Sequence, residues 1–334
     1  MAELVFVGCY TGDAGNGTGI TTLSRSPSGS LREVASLPLE SPSWLVRHPS
    51  LPVLYAANET ADGGVTALTF SPSGELSALG TAETGGAHPC HLAVTPDGRF
   101  LLCANYTGGS LAVFSLSSTG APVSRTALVR HSGSGPVSDR QEAAHVHMAV
   151  PSPDGSVVSA VDLGTDEIRS YTLTSSGGLE PLAVSSLPPG TGPRQLVRRP
   201  GTDLAYVVGE LAGTLVTVRE KAPGAFEVVS STPSTLSSVT PNLVAHLELA
   251  DSRLYVSNRG PDCVTEFALD DAAAVADQPC GANPRHFALV DGTCYVAAQS
   301  EDAITAFTLS ASGEAELRYY PTGSPTFVLP VSLP

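Results

Sequence analysis

Positive charge is scarce in this sequence: 17 Lys and Arg stand against 32 Asp and Glu over 334 residues, a net charge of −15. No basic run occurs anywhere. Nucleic acid and anionic membrane surfaces both require such a footprint, so neither is expected as a partner. Long apolar stretches are missing too. The opening MAELVFVGCYTG reads as a strand and carries no basic n-region, so neither a secretory leader nor a membrane span is expected. The six cysteines (Cys9, Cys90, Cys103, Cys263, Cys280 and Cys294) show no CxxC spacing. Cys9, Cys103, Cys263 and Cys294 fall within strand patterns, where a free thiol packs as a small apolar group. A reduced, cytoplasmic protein is the reading that follows. There is no GxSxG elbow, Walker loop or HExxH pair, which removes three common catalytic plans. A sustained helical period is absent as well, and the acidic stretch 270–277 reads as a loop.

What the sequence has is turns and a repeat. Gly (33) and Pro (27) are plentiful, as many tight turns between short strands require. Seven segments align: GITTLSR from Gly19, GVTALTF from Gly64, SLAVFSL from Ser110, EIRSYTL from Glu167, TLVTVRE from Thr214, CVTEFAL from Cys263 and AITAFTL from Ala303. They recur at steps of 45, 46, 57, 47, 49 and 40 residues. A period of this size with several strands per unit predicts an all-β, seven-bladed β-propeller with four-stranded antiparallel blades, one domain over 1–334. The stretch LVFVGCY near the start is a second strand with no innermost strand before it. PTFVLP (325–330) is an innermost strand with no second strand after it. Together they predict one blade built from both ends of the chain, which closes the ring and hides its edges. A closed ring needs no partner, so a monomer is expected.

Chemistry in a propeller gathers where the innermost strands meet. The third residues of the seven innermost motifs are Trp44, His91, His147, Gln195, His246, His286 and Phe327. Side chains alternate along a strand, so these are expected to ring the channel at one level. Four ionisable rings are costly to bury without a role. The second strands end at Tyr10, Glu59, Tyr106, Asp162, Glu210, Arg259 and Gln299, three of them preceded by Asn58, Asn105 and Asn258. Turn chemistry explains the asparagines and explains Glu210 and Arg259 less well. Arg194 and Arg285 follow prolines beside the channel position. Their planar forks suit a carboxylate or phosphate, or else a salt bridge between blades. His145 and His147 form an HxH pair that could join His91 or His246 around a metal, but no acidic partner stands at a suitable spacing and no metal is expected. The insertion RHSGSGPVSDRQEAAH (130–145) is long enough to fold over one face.

Several segments resemble the seven-bladed propeller lactonases, the family of the propeller-type 6-phosphogluconolactonases and of a lactone-forming carboxymuconate cyclase. The segments are VGCYT (7–11), PSWLVRHPSLPVLYAANE (42–59), GAHPCHLAVTPDGRFLLCANYTGGSLAVF (86–114), GSGPVSDRQEAAHVHM (133–148), DLGTDEI (162–168), GTGPRQLVRRP (190–200), LYVSNRG (254–260) and NPRHFAL (283–289). The resemblance implies a cytoplasmic enzyme of carbohydrate metabolism acting without a cofactor on a small anionic lactone. It places His147, Arg194, Glu210 and Arg285 at the catalytic centre, with His91, His286, Arg140 and Gln141 beside them. The expected mechanism has His147 as general base, assisted by Glu210, with Arg194 and Arg285 gripping the anion and polarising the carbonyl. His145, Gln195, His246, Arg259, Trp44, Asn105 and Tyr10 complete the expected substrate-binding set. A lactone-forming cyclase or isomerase is the alternative, and a non-catalytic small-ligand-binding propeller a second. The chain departs from the family pattern at Gln195, where the family has His, at Gly209, where it has Asn, and at Val244–His246, which lacks an acid.

Overall fold

The computed structural model describes residues 3–250, 252–309 and 316–333. These form seven four-stranded antiparallel sheets, the blades of a β-propeller. Blades one to six begin with the innermost strands Pro42–Arg47, Pro89–Val94, Val146–Pro151, Pro193–Arg198, Leu243–Ala250 and Pro284–Val290. Blade seven takes its innermost strand, Pro325–Ser332, from the end of the chain and its other three, starting with Glu3–Cys9, from the beginning. The two ends pair in register from Glu3↔Ser332 to Gly8↔Phe327, which closes the ring as expected. At Gly8 a Cβ would strike the carbonyl oxygen of Pro42 in blade one, so the closing strand passes its neighbour at a distance only glycine permits.

Period-2 alternation holds the blades together. In the closing strand Leu4 and Phe6 pack with Leu54 and Leu68 of blade one, while Val5 and Val7 pack with Ala297 and Ile304 of blade six. Each second strand is thus apolar on both faces; Val157–Asp162 is buried throughout. Among the described residues the helices are two three-residue 3-10 turns, Gly12–Ala14 and Gln299–Glu301. No helix among them is long and apolar enough to cross a membrane.

Two details differ from expectation. The acidic stretch 270–277 is not all loop: Ala274–Pro279 is the outer strand of blade five, paired to Cys263–Ala268. Alternation is weak there because this outer strand buries only one of its six residues, so little apolar surface is required on either face. The segment AELRYY (315–320) reads in sequence as the outer strand of blade six; the strand is Arg318–Pro321, and residue 315 lies outside the described residues.

Candidate active site

Each innermost strand carries a β-bulge near the mouth of the channel. The register slips between Pro42 and Trp44, Pro89 and His91, Val146 and Met148, Pro193 and Gln195, Val244 and Leu247, and Pro284 and His286. One extra residue per strand is left out of the ladder and turned toward the axis. Those residues are Ser43, Cys90, His147, Arg194, Ala245, Arg285 and, in blade seven, Thr326. Six of them, all but Ala245, line a single cavity of about 250 Å³, just below the usual size of ligand pockets. The strand ends above add Tyr10, Glu59, Tyr106, Glu210 and Arg259, and the long insertion lowers Arg140 onto the rim.

The bulges overturn one expectation. His147 does not share a level with Trp44, His91, Gln195, His246, His286 and Phe327. Register gives Met148 that place in blade three, and His147 stands one layer nearer the mouth. The lower layer is a floor of stacked rings. Trp44 lies 4.3 Å from His91 and 4.4 Å from Phe327, centroid to centroid. His286 lies 3.7 Å from Phe327 and 3.8 Å from His246. His246 Nδ1 donates to Gln195 Oε1 at 2.8 Å. Burial, aided by the charge of Arg194, lowers His91 and His246 to about 3, so the floor is uncharged.

Above the floor, charge converges on Glu210, which is 2% exposed. Arg194 Nη1 donates to its Oε2 at 2.7 Å and Arg140 Nη2 to its Oε1 at 2.7 Å. Arg259 Nη2 lies 3.1 Å from Oε2. Burial alone would raise this carboxyl, but Arg259, Arg194 and Arg140 outweigh it and hold the group well below its usual range. Arg194 Nη1 also donates to His147 Nε2 at 2.5 Å, and its Nε donates to the Ala245 carbonyl. A guanidinium has only donors, so His147 Nε2 must accept and the ring proton sits on Nδ1. That buried Nδ1 has no partner among the described residues. Burial and Arg194 push the imidazole well below its usual value, so it is neutral. The expected contact between His147 and Glu210 is therefore indirect, with Arg194 between them.

On the other side of the cavity Arg285 is held differently. Its Nη2 donates to Tyr10 Oη at 2.7 Å and its Nη1 to Gln299 Oε1 at 3.4 Å. No carboxylate among the described residues lies within ion-pairing distance of it. Tyr10 in turn donates to Glu59 at 3.1 and 3.2 Å to the two oxygens. Burial, the largest cause, pushes the Tyr10 phenol up, which keeps its proton in place. Cys90 also faces the cavity, and burial raises its thiol well above the ordinary value, so it is no thiolate nucleophile.

Other expected residues lie off the cavity. Asn105 is fully buried, bonded to Ser110 Oγ within its own hairpin. Gln141 is also fully buried and pins the long loop to the Leu163 carbonyl and to Asp166. His145 stacks on Tyr106 at 4.5 Å and supports it from outside. Asp162 is one residue short of the strand-end position and meets His131 Nδ1 at 2.7 Å inside blade three. Glu59, missing from the expected set, is in the cavity. Its place at a strand end is visible in sequence, but its partner Tyr10 comes from the opposite end of a ring closure. No group of three or more metal-ligating side chains occurs among the described residues.

The mouth of the propeller thus gathers four arginines, two glutamates and a neutral histidine around one cavity. The chain belongs to the seven-bladed β-propeller lactonase family, whose model matches residues 4–330. It is 31% identical over 272 residues to a 6-phosphogluconolactonase of Bacillus subtilis, covering 79% of this chain and 77% of that one. A 6-phosphogluconolactonase of Formosa agariphila is 28% identical over 309 residues, 85% of this chain and 86% of that one. Among solved structures, the periplasmic gluconolactonase of Pseudomonas aeruginosa superimposes with a TM-score of 0.92 at 27% identity, over 100% of both chains.

Proposed function

We propose that the protein hydrolyses the ring ester of a sugar lactone bearing an anionic substituent, phosphate being the first candidate, in the mouth cavity. The observation that carries this reading is the gathering of four arginines around about 250 Å³ in a protein of net charge −15. Family membership and relatives named as lactonases support the reaction class. Hydrolysis needs a water made nucleophilic and an oxyanion held as it forms. Arg285, free of any carboxylate partner, is suited to grip the substrate's anionic group. Arg194 is the guanidinium best placed to face the carbonyl, because Glu210, His147 and the Ala245 carbonyl fix its plane. His147 then acts as a positioning residue for Arg194; to serve as the base it would first have to give up that bond. The closed ring and six buried free thiols fit a monomer in a reducing compartment.

The test is proton release from a panel of aldonolactones with and without phosphate. Acceleration over the spontaneous opening is expected, strongest on the phosphorylated members. Arg285→Met is expected to raise KM on those members more than it lowers kcat. No acceleration on any lactone would overturn the reading.

A further inference from the structure

Three groups in the cavity could activate water, and the geometry rules on each. His147 has its only lone pair engaged by Arg194. Glu210 has its oxygens taken by three guanidiniums, which lower its affinity for a proton. Glu59 differs from both. It lines the cavity and accepts one shared hydrogen bond, from Tyr10, across its two oxygens. No Arg, Lys or His among the described residues lies within ion-pairing distance of it. A carboxylate carries about four acceptor positions, so most of its capacity stays open.

We infer that Glu59 is the general base of this site, with Tyr10 as its positioning residue; the inference rests on the lactonase reading above. Tyr10 receives a bond from Arg285 and donates one to Glu59, so the anion-gripping arginine and the base are joined through a single phenol. Arg285 also lies over the Tyr10 ring, 5.0 Å from its centroid, which fixes both side chains. A substrate held at Arg285 thus brings its ring ester toward Glu59.

The step balances as follows. A Glu59 oxygen takes one proton from water while the water oxygen bonds to the lactone carbonyl carbon. The carbonyl electron pair moves to its oxygen, beside Arg194. The pair returns, the bond from that carbon to the ring oxygen breaks, and Glu59 passes its proton to the departing oxygen. The product is a hydroxy acid, whose carboxyl proton goes to solvent. No oxidant, metal or covalent intermediate is needed.

The experiment compares wild type, Glu59→Gln, Glu59→Ala and Tyr10→Phe on whichever lactone the wild type opens fastest. Glu59→Gln is expected to lose about 10²–10⁴-fold in kcat, the usual range for a general base, with little change in KM. Glu59→Ala is expected to regain rate with added sodium formate in a saturable way, because formate fits the vacated space and supplies a carboxylate. A purely structural role would not respond to formate. Tyr10→Phe is expected to fall between. A Glu59→Gln variant within threefold of wild type would sink the inference and leave the lactonase reading standing. So would a folded Glu59→Ala protein that formate cannot rescue. If the wild type opens no lactone at all, the functional reading fails first and this inference falls with it.

Discussion

Replacing Glu210 by Gln probes the charge hub directly. The carboxylate is 2% exposed and meets Arg194, Arg140 and Arg259 at 2.7, 2.7 and 3.1 Å. An amide of the same shape leaves three guanidiniums facing one another with no counter-charge. Breaking a buried ion pair from one side costs about 3–5 kcal/mol. Unfolding entropy of about 2.1 cal/mol/K per residue gives a chain of this length about 0.7 kcal/mol/K. The expected fall in Tm is therefore about 4–7 °C. Arg259 sharpens the expectation, since burial already lowers it to about 10 even with Glu210 present. The assay is thermal unfolding at pH 7, repeated with rising inorganic phosphate. Phosphate binding to the uncompensated arginines should restore part of the loss in the variant, by mass action on the folded state. It should raise the wild type less. A variant melting within about 1 °C of wild type and indifferent to phosphate would refute the reasoning that Glu210 balances these charges.

His147→Gln places an amide oxygen where Nε2 accepts from Arg194, and should keep activity within about tenfold of wild type. His147→Ala frees Arg194 and should cost about 10²-fold, the effect of misplacing a catalytic group; equal losses in steady-state assays would instead mark His147 as the base. Glu248, on the innermost strand of blade five, is raised by burial from 4.5 to about 7. Its folded form holds the proton more tightly than the unfolded form, so stability falls as pH rises from about 4.5 to about 7 and stays reduced above. Glu248→Gln should gain at most about 3 kcal/mol at pH 8 and almost nothing at pH 4, read as denaturant midpoints. Asp162 accepts from His131 Nδ1, His145 N and Gly164 N at 2.7, 2.8 and 3.0 Å. Burial raises this carboxyl, but His131 and the other donors outweigh it and lower it, so its contribution is present above the unfolded carboxyl range and lost as pH falls. Asp162→Asn leaves the buried His131 Nδ1 donor without its carboxylate and should cost about 1–3 kcal/mol at pH 7, with the gap closing toward pH 3 in urea titrations.

The blades were legible because each repeat obeys one rule: alternate side chains fill the space between neighbouring sheets. Ile20, Val65, Leu111 and their counterparts are buried for that reason, and their spacing survives wide changes in loop length. Ring closure was legible from a missing strand at each end. The level of His147 was not. In the motifs beginning at Pro42, Pro89, Pro193 and Pro284 the proline marks the residue before the bulge, whereas blade three has Val146 in its place. Placing His147 at the third position of its motif therefore slips the phase by one residue, which moves a side chain to another layer. Met148, an apolar residue with no motif of its own, gives no sign that it belongs with His91 and His286. Asn105 and Gln141 read as polar groups near a mouth, and only the closed structure shows their bonds turned inward. Glu59 stood in plain view as a strand end, but its acceptor bond from Tyr10 spans 49 residues and crosses from blade seven to blade one.

The paired chain ends have a consequence for synthesis. Tyr10 is made more than 300 residues before Thr326, yet both line the same cavity. Until Pro325–Ser332 lies beside Glu3–Cys9, the wall between blades six and one is open and the cavity has no defined shape. A ribosome-bound chain, or a fragment ended before residue 325, holds Arg194, Glu210 and His147 but cannot enclose a substrate with them. Competence would then appear in one step, at the moment the last strand docks, rather than grow with length. Translation errors that shorten the chain would leave inert protein instead of a weakly active, unselective one.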